Sequence, residues 1–557
     1  MREKQPVASA SISLTRKVCY SLFICLLFLG GLEFCLRLVK FSYTPRQHVF
    51  YKPQVGMING TRDYIIPTVF DPPGYLWLMP QSIVGRDVHG HKIYEWPVEK
   101  KPGTKRICFL GGSTSQPDFM TDYPRRTITL LNNALGAGRY EGLNLGMSSY
   151  DSHQSLLALQ KYGWPRNPDC VVNFDGWNEF GTWPDGYSSK EKSRWMSHPQ
   201  WVEPSGPARG RMVELRLTQL VARLLAGADR SWPRLNTDFD DFRGNLEEMA
   251  RQSATRSLPF VVVLRPIARG PLPATFFHDL RLQYFKMHHQ ITEPKALYHF
   301  LHAQCTNIQA SVARHHGHAR PADACATLEA LQDTLAQQPH EGVSAFVQDA
   351  MHCTPLGYQA IAEAAALAIA PEEAARLKAY MASGAYWLHL AREFQQMDHP
   401  FLCDYAAGQA LQREPALRAE TQTLQTWAQG QYAFWRLYEA NIRHKGPLVP
   451  LGERLNNLGQ CLEMRPSDAG VLGAIFQAAS WNGRSELAIP FLLKFKPAHA
   501  QDQYMCLRML FQAYAAMRNW AETEKMARAL LALNPADPDA QAFLKALQNT
   551  APSAPPR

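Results

Sequence analysis

Four short apolar segments recur between residues 106 and 264, and the stretches between the first three have helical spacing. A strand that is apolar on both faces has to be covered on both faces, and a strand joined to the next through a helix runs parallel to it. The pattern therefore predicts an α/β fold with a doubly wound parallel sheet in three layers. The segments are residues 106–110 (RICFL), 141–145 (EGLNL), 169–174 (DCVVNF) and 260–264 (FVVVL), with helices predicted over 123–135 and 152–162.

Length and composition limit the classes of protein to consider. A chain of 557 residues is too long for one compact domain, and its 46% hydrophobic and 19% charged content is that of a globular protein. The net charge of +9 is spread along the chain without a basic arm, so no nucleic-acid partner is expected.

The N-terminal residues 18–38 form an apolar stretch of the length that one bilayer crossing needs. Arg16 and Lys17 precede it, and no small-x-small cleavage site follows it, which favours an uncleaved signal-anchor over a removed signal peptide. With residues 1–17 in the cytoplasm, the protein would be single-pass in the cell inner membrane with its body facing the periplasm. Glu33 and Arg37 are four residues apart and are spaced to pair on one helix face.

Two further regions flank the predicted sheet domain of residues 104–372. Residues 41–103 are rich in proline, glycine and aromatic residues without periodicity, and we expect an irregular connector. Residues 376–548 read as consecutive helices punctuated by Pro466, Pro497 and Pro535, at spacings of 31 and 38 residues (497 − 466 and 535 − 497). These spacings bracket the period of about 34 residues of tetratricopeptide (TPR) repeats, while a generic helical bundle is the alternative. Residues 549–557 read as a disordered tail.

The cysteines and histidines do not predict a metal centre. None of the eleven cysteines forms a C-x-x-C pair, and the histidines at 288–289, 315–316 and 318 have no regularly spaced ligand partners. Cys305 and Cys325 would be able to bridge in an oxidising compartment, and the sequence leaves that pairing open. We expect no metal and no cofactor.

Reactive groups of doubly wound sheets collect at the carboxyl ends of the strands. Ser113 follows the first strand on a glycine turn, Gly146 follows the second, and Asn178 follows the third. Two backbone N–H groups and an amide are suited to stabilise an oxyanion. Asp349 and His352, three residues apart before an Ala-rich helix, supply the carboxylate and imidazole that a serine nucleophile requires.

These four segments, FLGGSTS, LGMSSY, DGWNE and DAMHCTPLGY, resemble in their order and spacing the blocks of the SGNH (GDSL-type) hydrolase family. The resemblance spans about half the chain. It implies that Ser113 is the nucleophile, His352 the general base and Asp349 its orienting carboxylate. It also implies that the Ser113 amide, Gly146 and Asn178 form the oxyanion hole.

Two positions depart from the family pattern. Gly112 stands where an aspartate is usual, and Glu179 follows Asn178 where aspartate is commoner. Structural interpretations also exist for single residues: Asn178 as a turn cap, Asp349 as a helix cap, and Trp177, Trp183 and Trp195 as a lid core rather than sugar-stacking rings.

Together these observations predict a membrane-anchored serine esterase or O-acyltransferase. The resemblance implies an acyl ester, such as an acetylated envelope or exported polysaccharide, as substrate, and the same residues would serve hydrolysis and transfer equally. The repeats offer surfaces for protein partners. The alternative is a non-catalytic SGNH/TPR scaffold of a polysaccharide or envelope assembly complex.

Overall fold

A computed structural model gives the architecture of the chain. It describes residues 13–39, 99–116, 122–147, 150–179, 217, 220, 239–267, 291, 293–346, 352–441, 449–535 and 537–550, and the strand residues given below. The chain divides into two units: one holds residues 1–53, 72–74 and 190–234, and the other holds the remainder.

The first unit contains helix α1 (Leu14–Leu38), which Ser13 caps by accepting a hydrogen bond from the Arg16 N–H. Residues Val18–Leu38 have a mean hydropathy of 2.1 and are long enough to cross a bilayer, a property that signal sequences share. The predicted ion pair forms, with Arg37 Nε 2.8 Å from Glu33 Oε1. Membrane insertion and its orientation stay predictions.

The region predicted as an irregular connector contains five short strands. They form an antiparallel sheet in the order β1-β2-β3 and a separate β4–β5 hairpin. Antiparallel strands can be joined by short connections, so a stretch without helical or long apolar periodicity can still form a sheet. The strands are β1 (Val55–Met57), β2 (Ile65–Asp71), β3 (Leu76–Pro80), β4 (Val84–Arg86) and β5 (Lys92–Glu95).

The main sheet is fully parallel and has the predicted doubly wound topology. Its order, β10-β9-β8-β6-β7, reverses direction at β6, so a crevice opens between the carboxyl ends of β6 and β8. Its strands are β6 (Lys105–Gly111), β7 (Tyr140–Asn144), β8 (Cys170–Phe174), β9 (Phe260–Val263) and β10 (Ala319–Ala322).

Helices cover both faces of this sheet. Alternate residues of β6 point to opposite layers: Ile107 and Phe109 pack with one cluster, Cys108 and Leu110 with the other. The first layer holds α2 (Tyr123–Leu135), α6 (Ala324–Gln337) and α7 (Pro355–Ile369). The second holds α3 (Ser152–Ala158), α4 (Asp240–Ala254) and α5 (Pro294–His315). The helix predicted over 152–162 is regular only to Ala158, because a π-helical turn, Leu159–Gly163, follows it.

Beyond residue 373 the described chain is all helical, as predicted. Pro466, Pro497 and Pro535 each follow the end of a helix by two or three residues, and Asp468 caps the helix after the first of them. The assignment to TPR repeats stays a prediction. The helices are α8 (Ala374–Met381), α9 (Gly384–Gln396), α10 (Pro400–Arg413), α11 (Arg418–Asn441), α12 (Leu451–Met464), α13 (Ala469–Trp481), α14 (Ile489–Lys494), α15 (Ala500–Ala516), α16 (Trp520–Leu533) and α17 (Pro538–Thr550).

The sheet layer and the first C-terminal helices share one hydrophobic core. The cluster that contains Ile107 and Phe109 continues through α7 into α8, α9, α10 and α11 without interruption. At this junction the fully buried Arg126 of α2 donates from Nη1 to Gln359 Oε1 and to Glu393 Oε2, both at 3.1 Å. Arg126 therefore ties the sheet region to α9 through a buried charge pair.

We expect Arg126→Met to destabilise the protein by about 3 kcal/mol, because it leaves the Glu393 carboxylate in a low-dielectric site without its cation. Urea unfolding of the full chain in detergent, followed by tryptophan fluorescence, measures the change. Arg392→Met is the matched control: its partner Glu420 is exposed, and the loss should stay within about 0.5 kcal/mol. Equal losses in the two variants would contradict a structural role for the buried pair.

Candidate active site

The candidate nucleophile lies on a tight turn that glycine makes possible. β6 ends at Gly111 with φ +150°, a conformation that favours glycine, and a Cβ there would lie 2.7 Å from the Phe174 carbonyl oxygen. The chain then turns, with the Ser115 N–H donating to the Gly112 carbonyl at 3.0 Å. Ser113 is half-buried at this turn, and among the described residues none accepts a hydrogen bond from its N–H. Its amide is therefore available to a ligand.

His352 reaches the same turn from 239 residues further along the chain. Its Nε2 lies 2.9 Å from Ser113 Oγ, a hydrogen-bond distance. The segment after it is held by an antiparallel bridge between Cys353 and Phe346, and by Thr354, whose side chain caps α7. For Nε2 to accept the serine proton, the neutral ring carries its own hydrogen on Nδ1. Asp349, the predicted orienting carboxylate, lies outside the described residues.

Asn178 lies beside the turn that carries Ser113. Its Nδ2 donates to the Tyr150 carbonyl oxygen at 2.6 Å, and the side chain is buried. A Cβ on Gly112 would lie 2.5 Å from this Nδ2 and 3.0 Å from the Tyr150 oxygen. Gly112, the residue before Ser113, thus packs directly on the Asn178–Tyr150 hydrogen bond, and a larger side chain such as aspartate has no room at this position.

Gly146 approaches the same turn but has a hydrogen-bond partner of its own. A Cβ there would lie 2.9 Å from the Ser115 carbonyl carbon, so glycine lets the segment after β7 contact the turn that carries Ser113. Its N–H donates to Asn144 Oδ1 at 2.9 Å, while Asn144 Nδ2 donates to the Ser115 carbonyl at 2.7 Å. Gly146 as an oxyanion donor stays a prediction. Asn144 was not predicted, although a polar residue at the end of an apolar strand was the available signal.

Three buried acidic residues lie behind Asn178: Asp151, Asp175 and Glu179. Burial raises the pKa of Asp175 to about 7, although Asn173 donates to its Oδ2 at 2.6 Å. Burial, together with the neighbouring Asp151 and Asp175 carboxylates, also raises the pKa of Glu179 well above its usual value. The sequence gives little signal for their burial, because acidic residues in the segments after strands ordinarily suggest a surface loop.

Trp177 is not available to stack on a sugar. Its ring is buried, and the Arg265 guanidinium lies over it, with Cζ 3.2 Å from the ring centroid. Cys305 and Cys325, whose pairing the sequence left open, are free thiols that donate to the Gly176 and Arg265 carbonyl oxygens. Trp183 and Trp195 lie outside the described residues.

The structure thus brings together Ser113, His352, Asn178 and the Gly146 strand end at the carboxyl edge of the sheet. Ser113 follows β6 and Asn178 follows β8, so they flank the crevice where the strand order reverses. Among the described residues, no group of three or more His, Cys, Asp or Glu side chains is arranged to hold a metal ion.

Comparison with known proteins gives fold neighbours only. No family model matches the chain, and no curated protein matches it either.

Its structural neighbours include GDSL-like lipases and acetyl xylan esterases. A GDSL-like lipase from Parabacteroides merdae is 12% identical with a TM-score of 0.30, and the match covers 48% of this chain and 99% of that one. The acetyl xylan esterase AlAXEase is 13% identical with a TM-score of 0.29, over 47% and 97%. An acetylxylan esterase from Geobacillus stearothermophilus is 13% identical with a TM-score of 0.28, over 48% and 96%. Likenesses this distant do not assign an activity.

We expect Gly112→Ala to lower turnover at least tenfold, because the new methyl group displaces the Asn178 amide or the Tyr150 carbonyl beside Ser113 (about 1.4 kcal/mol of barrier per factor of ten). Steady-state hydrolysis of p-nitrophenyl acetate measures it. The control is Gly244→Ala on α4, where a Cβ meets nothing within 4 Å. Turnover of Gly112→Ala at the wild-type level would contradict the packing argument.

The raised pKa of Asp175 predicts how stability changes with pH. Between its ordinary value of 3.8 and about 7 the unfolded chain has lost this proton while the folded chain keeps it. Stability therefore falls as pH rises through that window, by up to about 4 kcal/mol for this one group. Asp175→Asn cannot ionise, so its urea midpoint should fall less between pH 4.5 and pH 8 than that of the wild type. Identical slopes for the two proteins would show that Asp175 is ionised in the folded state.

Proposed function

We propose that this chain is a serine esterase or O-acyltransferase that attacks acyl esters through Ser113. The observation that supports this most is the 2.9 Å approach of His352 Nε2 to Ser113 Oγ, at a strand end where this fold class places its reactive groups. A serine hydroxyl becomes a useful nucleophile only with a base at this distance, and His352 is that base.

The reaction follows from this pair. Ser113 Oγ attacks the acyl carbonyl carbon while its proton passes to His352 Nε2. The tetrahedral intermediate collapses, the C–O bond to the leaving alcohol breaks, and the alcohol takes the proton from His352. The acyl group is then an ester of Ser113. Water or a second hydroxyl gives its proton to His352 and attacks this ester, and Ser113 leaves with the proton restored.

The oxyanion of both intermediates needs donors that are fixed before charge develops. The Ser113 N–H, which no described residue engages, is the first of these donors, and the Asn178 amide beside Gly112 is the second. Gly146 becomes the third if its N–H turns from Asn144 to the ligand. Asp349, three residues before His352, would orient the imidazole.

The substrate and location are further parts of the proposal. The anchor Val18–Leu38 would hold the body at the periplasmic face of the inner membrane, where acetylated envelope or exported polysaccharides are the ester class implied by the resemblance. Hydrolysis and transfer differ only in whether water or a sugar hydroxyl reaches the acyl-enzyme. The helical region would offer its surface to protein partners of the same process.

Ser113→Ala should abolish labelling of the full chain by a fluorophosphonate probe and reduce p-nitrophenyl acetate turnover by a factor of at least about 10³, because the hydroxyl that carries the acyl group is gone. His352→Ala should lower both to a similar extent. Ser311→Ala and His315→Ala, which alter exposed residues on α5, are the matched controls and should react like the wild type.

Wild-type protein that is not labelled, or labelling that survives in Ser113→Ala, would contradict the enzyme proposal and leave a substrate-holding scaffold as the better explanation. Incubating active protein with acetylated and unacetylated polysaccharides, and following acetate release and acetate transfer separately, distinguishes an esterase from an O-acyltransferase.

A further inference from the structure

Two consecutive side chains after β8 bind the same short turn after β7. Asn178 Nδ2 donates to the Tyr150 carbonyl, and Glu179 Oε1 accepts from the Ser152 N–H, each at 2.6 Å. Ser152, Asn178 and Glu179 are all buried, at 0%, 3% and 3% exposure. The turn at residues 150–152 is therefore held from one side by a donor and an acceptor that are adjacent in sequence.

The Ser152 N–H is a helix-terminal donor that needs a partner outside the helix. Ser152 is the first residue of α3, and the first N–H groups of a helix have no carbonyl partner within it. Asp151 and Gln154 form a capping box, in which each side chain accepts a hydrogen bond from the other's backbone N–H. The Ser152 N–H takes no part in this box and donates to Glu179. The Ser152 hydroxyl in turn accepts from Asn245 Nδ2 of α4 at 2.9 Å. Glu179 thus fixes the start of α3 against the end of β8.

This contact continues to the nucleophile in two steps. The Tyr150 carbonyl, two residues before Ser152, is the acceptor that orients the Asn178 amide. That amide packs against Gly112, the residue before Ser113. A shift of the α3 start moves the Tyr150 oxygen and with it the amide that faces the reacting carbonyl.

We infer that Glu179 is a positioning residue, which sets the Asn178 amide beside Ser113 by holding the N-terminus of α3. The inference rests on the proposed function, in which that amide stabilises the oxyanion. The inference also depends on the length of the Glu179 side chain. An aspartate is one methylene shorter and would not reach the Ser152 N–H. A glutamine has the same length and keeps an accepting oxygen in place. Glu179 is therefore suited to this turn in a way that the family's commoner aspartate is not.

Kinetics of the full chain in detergent test the inference. Glu179→Ala should lower kcat for p-nitrophenyl acetate by about 10- to 100-fold with KM changed less than about threefold, because a misplaced oxyanion donor acts on the transition state. Glu179→Asp should lower kcat in the same direction, and Glu179→Gln should restore it to within about threefold of the wild type. Asp468→Ala, which removes a helix-capping carboxylate far along the chain on α13, should leave kcat unchanged.

A double-mutant cycle separates positioning from general loss of structure. In an Asn178→Ala background, Glu179→Ala should change kcat by less than about twofold, because the group it positions is gone. The same large factor in both backgrounds would overturn the inference, as would wild-type kcat in Glu179→Ala. If Glu179→Ala does not fold, Glu179→Asp takes its place in the cycle.

A second readout does not depend on turnover. With ¹⁵N-asparagine labelling, the Asn178 side-chain amide signal, identified by its loss in Asn178→Ala, should move in Glu179→Ala and stay in place in Glu179→Gln. An unmoved signal in Glu179→Ala overturns the inference even in a protein that shows no esterase activity. Absence of Ser113-dependent labelling with a moved signal would instead contradict the proposed function and leave the positioning contact intact.

Discussion

The hydrogen bond between Ser113 and His352 depends on close packing at both of its ends. On the serine side, the turn exists because Gly111 and Gly112 leave no side chain where the Phe174 and Tyr150 carbonyl oxygens lie. On the histidine side, α7 begins three residues after His352, and a Cβ on Gly357 would lie 2.0 Å from the Ala345 carbonyl oxygen. Backbone contacts of this kind do not relax like side-chain contacts, so they fix the distance on which proton transfer depends.

The same packing accounts for the residues at positions 112 and 179. A side chain at position 112 would strike Asn178, so the neighbouring amide requires glycine there. At position 179 the longer glutamate reaches the Ser152 N–H, which belongs to a helix start. Gly112 thus contacts the Asn178–Tyr150 hydrogen bond directly, and Glu179 binds Ser152, two residues after Tyr150.

The sequence predicted the parallel sheet because its central strands are apolar on both faces, and four of its five strands were found with ends shifted by at most one residue. It missed β10, whose Ala-Arg-Pro-Ala sequence has little strand character. Pro321 is tolerated there because β10 is an edge strand with β9 on one side only. The sequence also predicted that Ser113 and Asn178 lie close together, since strand ends of a parallel sheet converge, and segment order placed His352 with them. Asn144 and Glu179 were not predicted, because their partners are backbone groups, which carry no sequence signal.

The packing of the C-terminal helices against the sheet region could not be predicted from the sequence either. Arg126 lies in a pattern that reads as an ordinary amphipathic helix, and its partner Glu393 is 267 residues away. A boundary near residue 373 looked natural because the strands stop there, yet the hydrophobic core crosses it. Helix α2 begins ten residues after Ser113, at Tyr123, and its Arg126 binds Gln359 of α7 and Glu393 of α9. Through Glu393, the C-terminal helices therefore support the helix that follows Ser113. The first of these helices are thus part of the scaffold of the candidate active site, whereas α12 to α17 belong to a second core cluster that begins on α10 and α11.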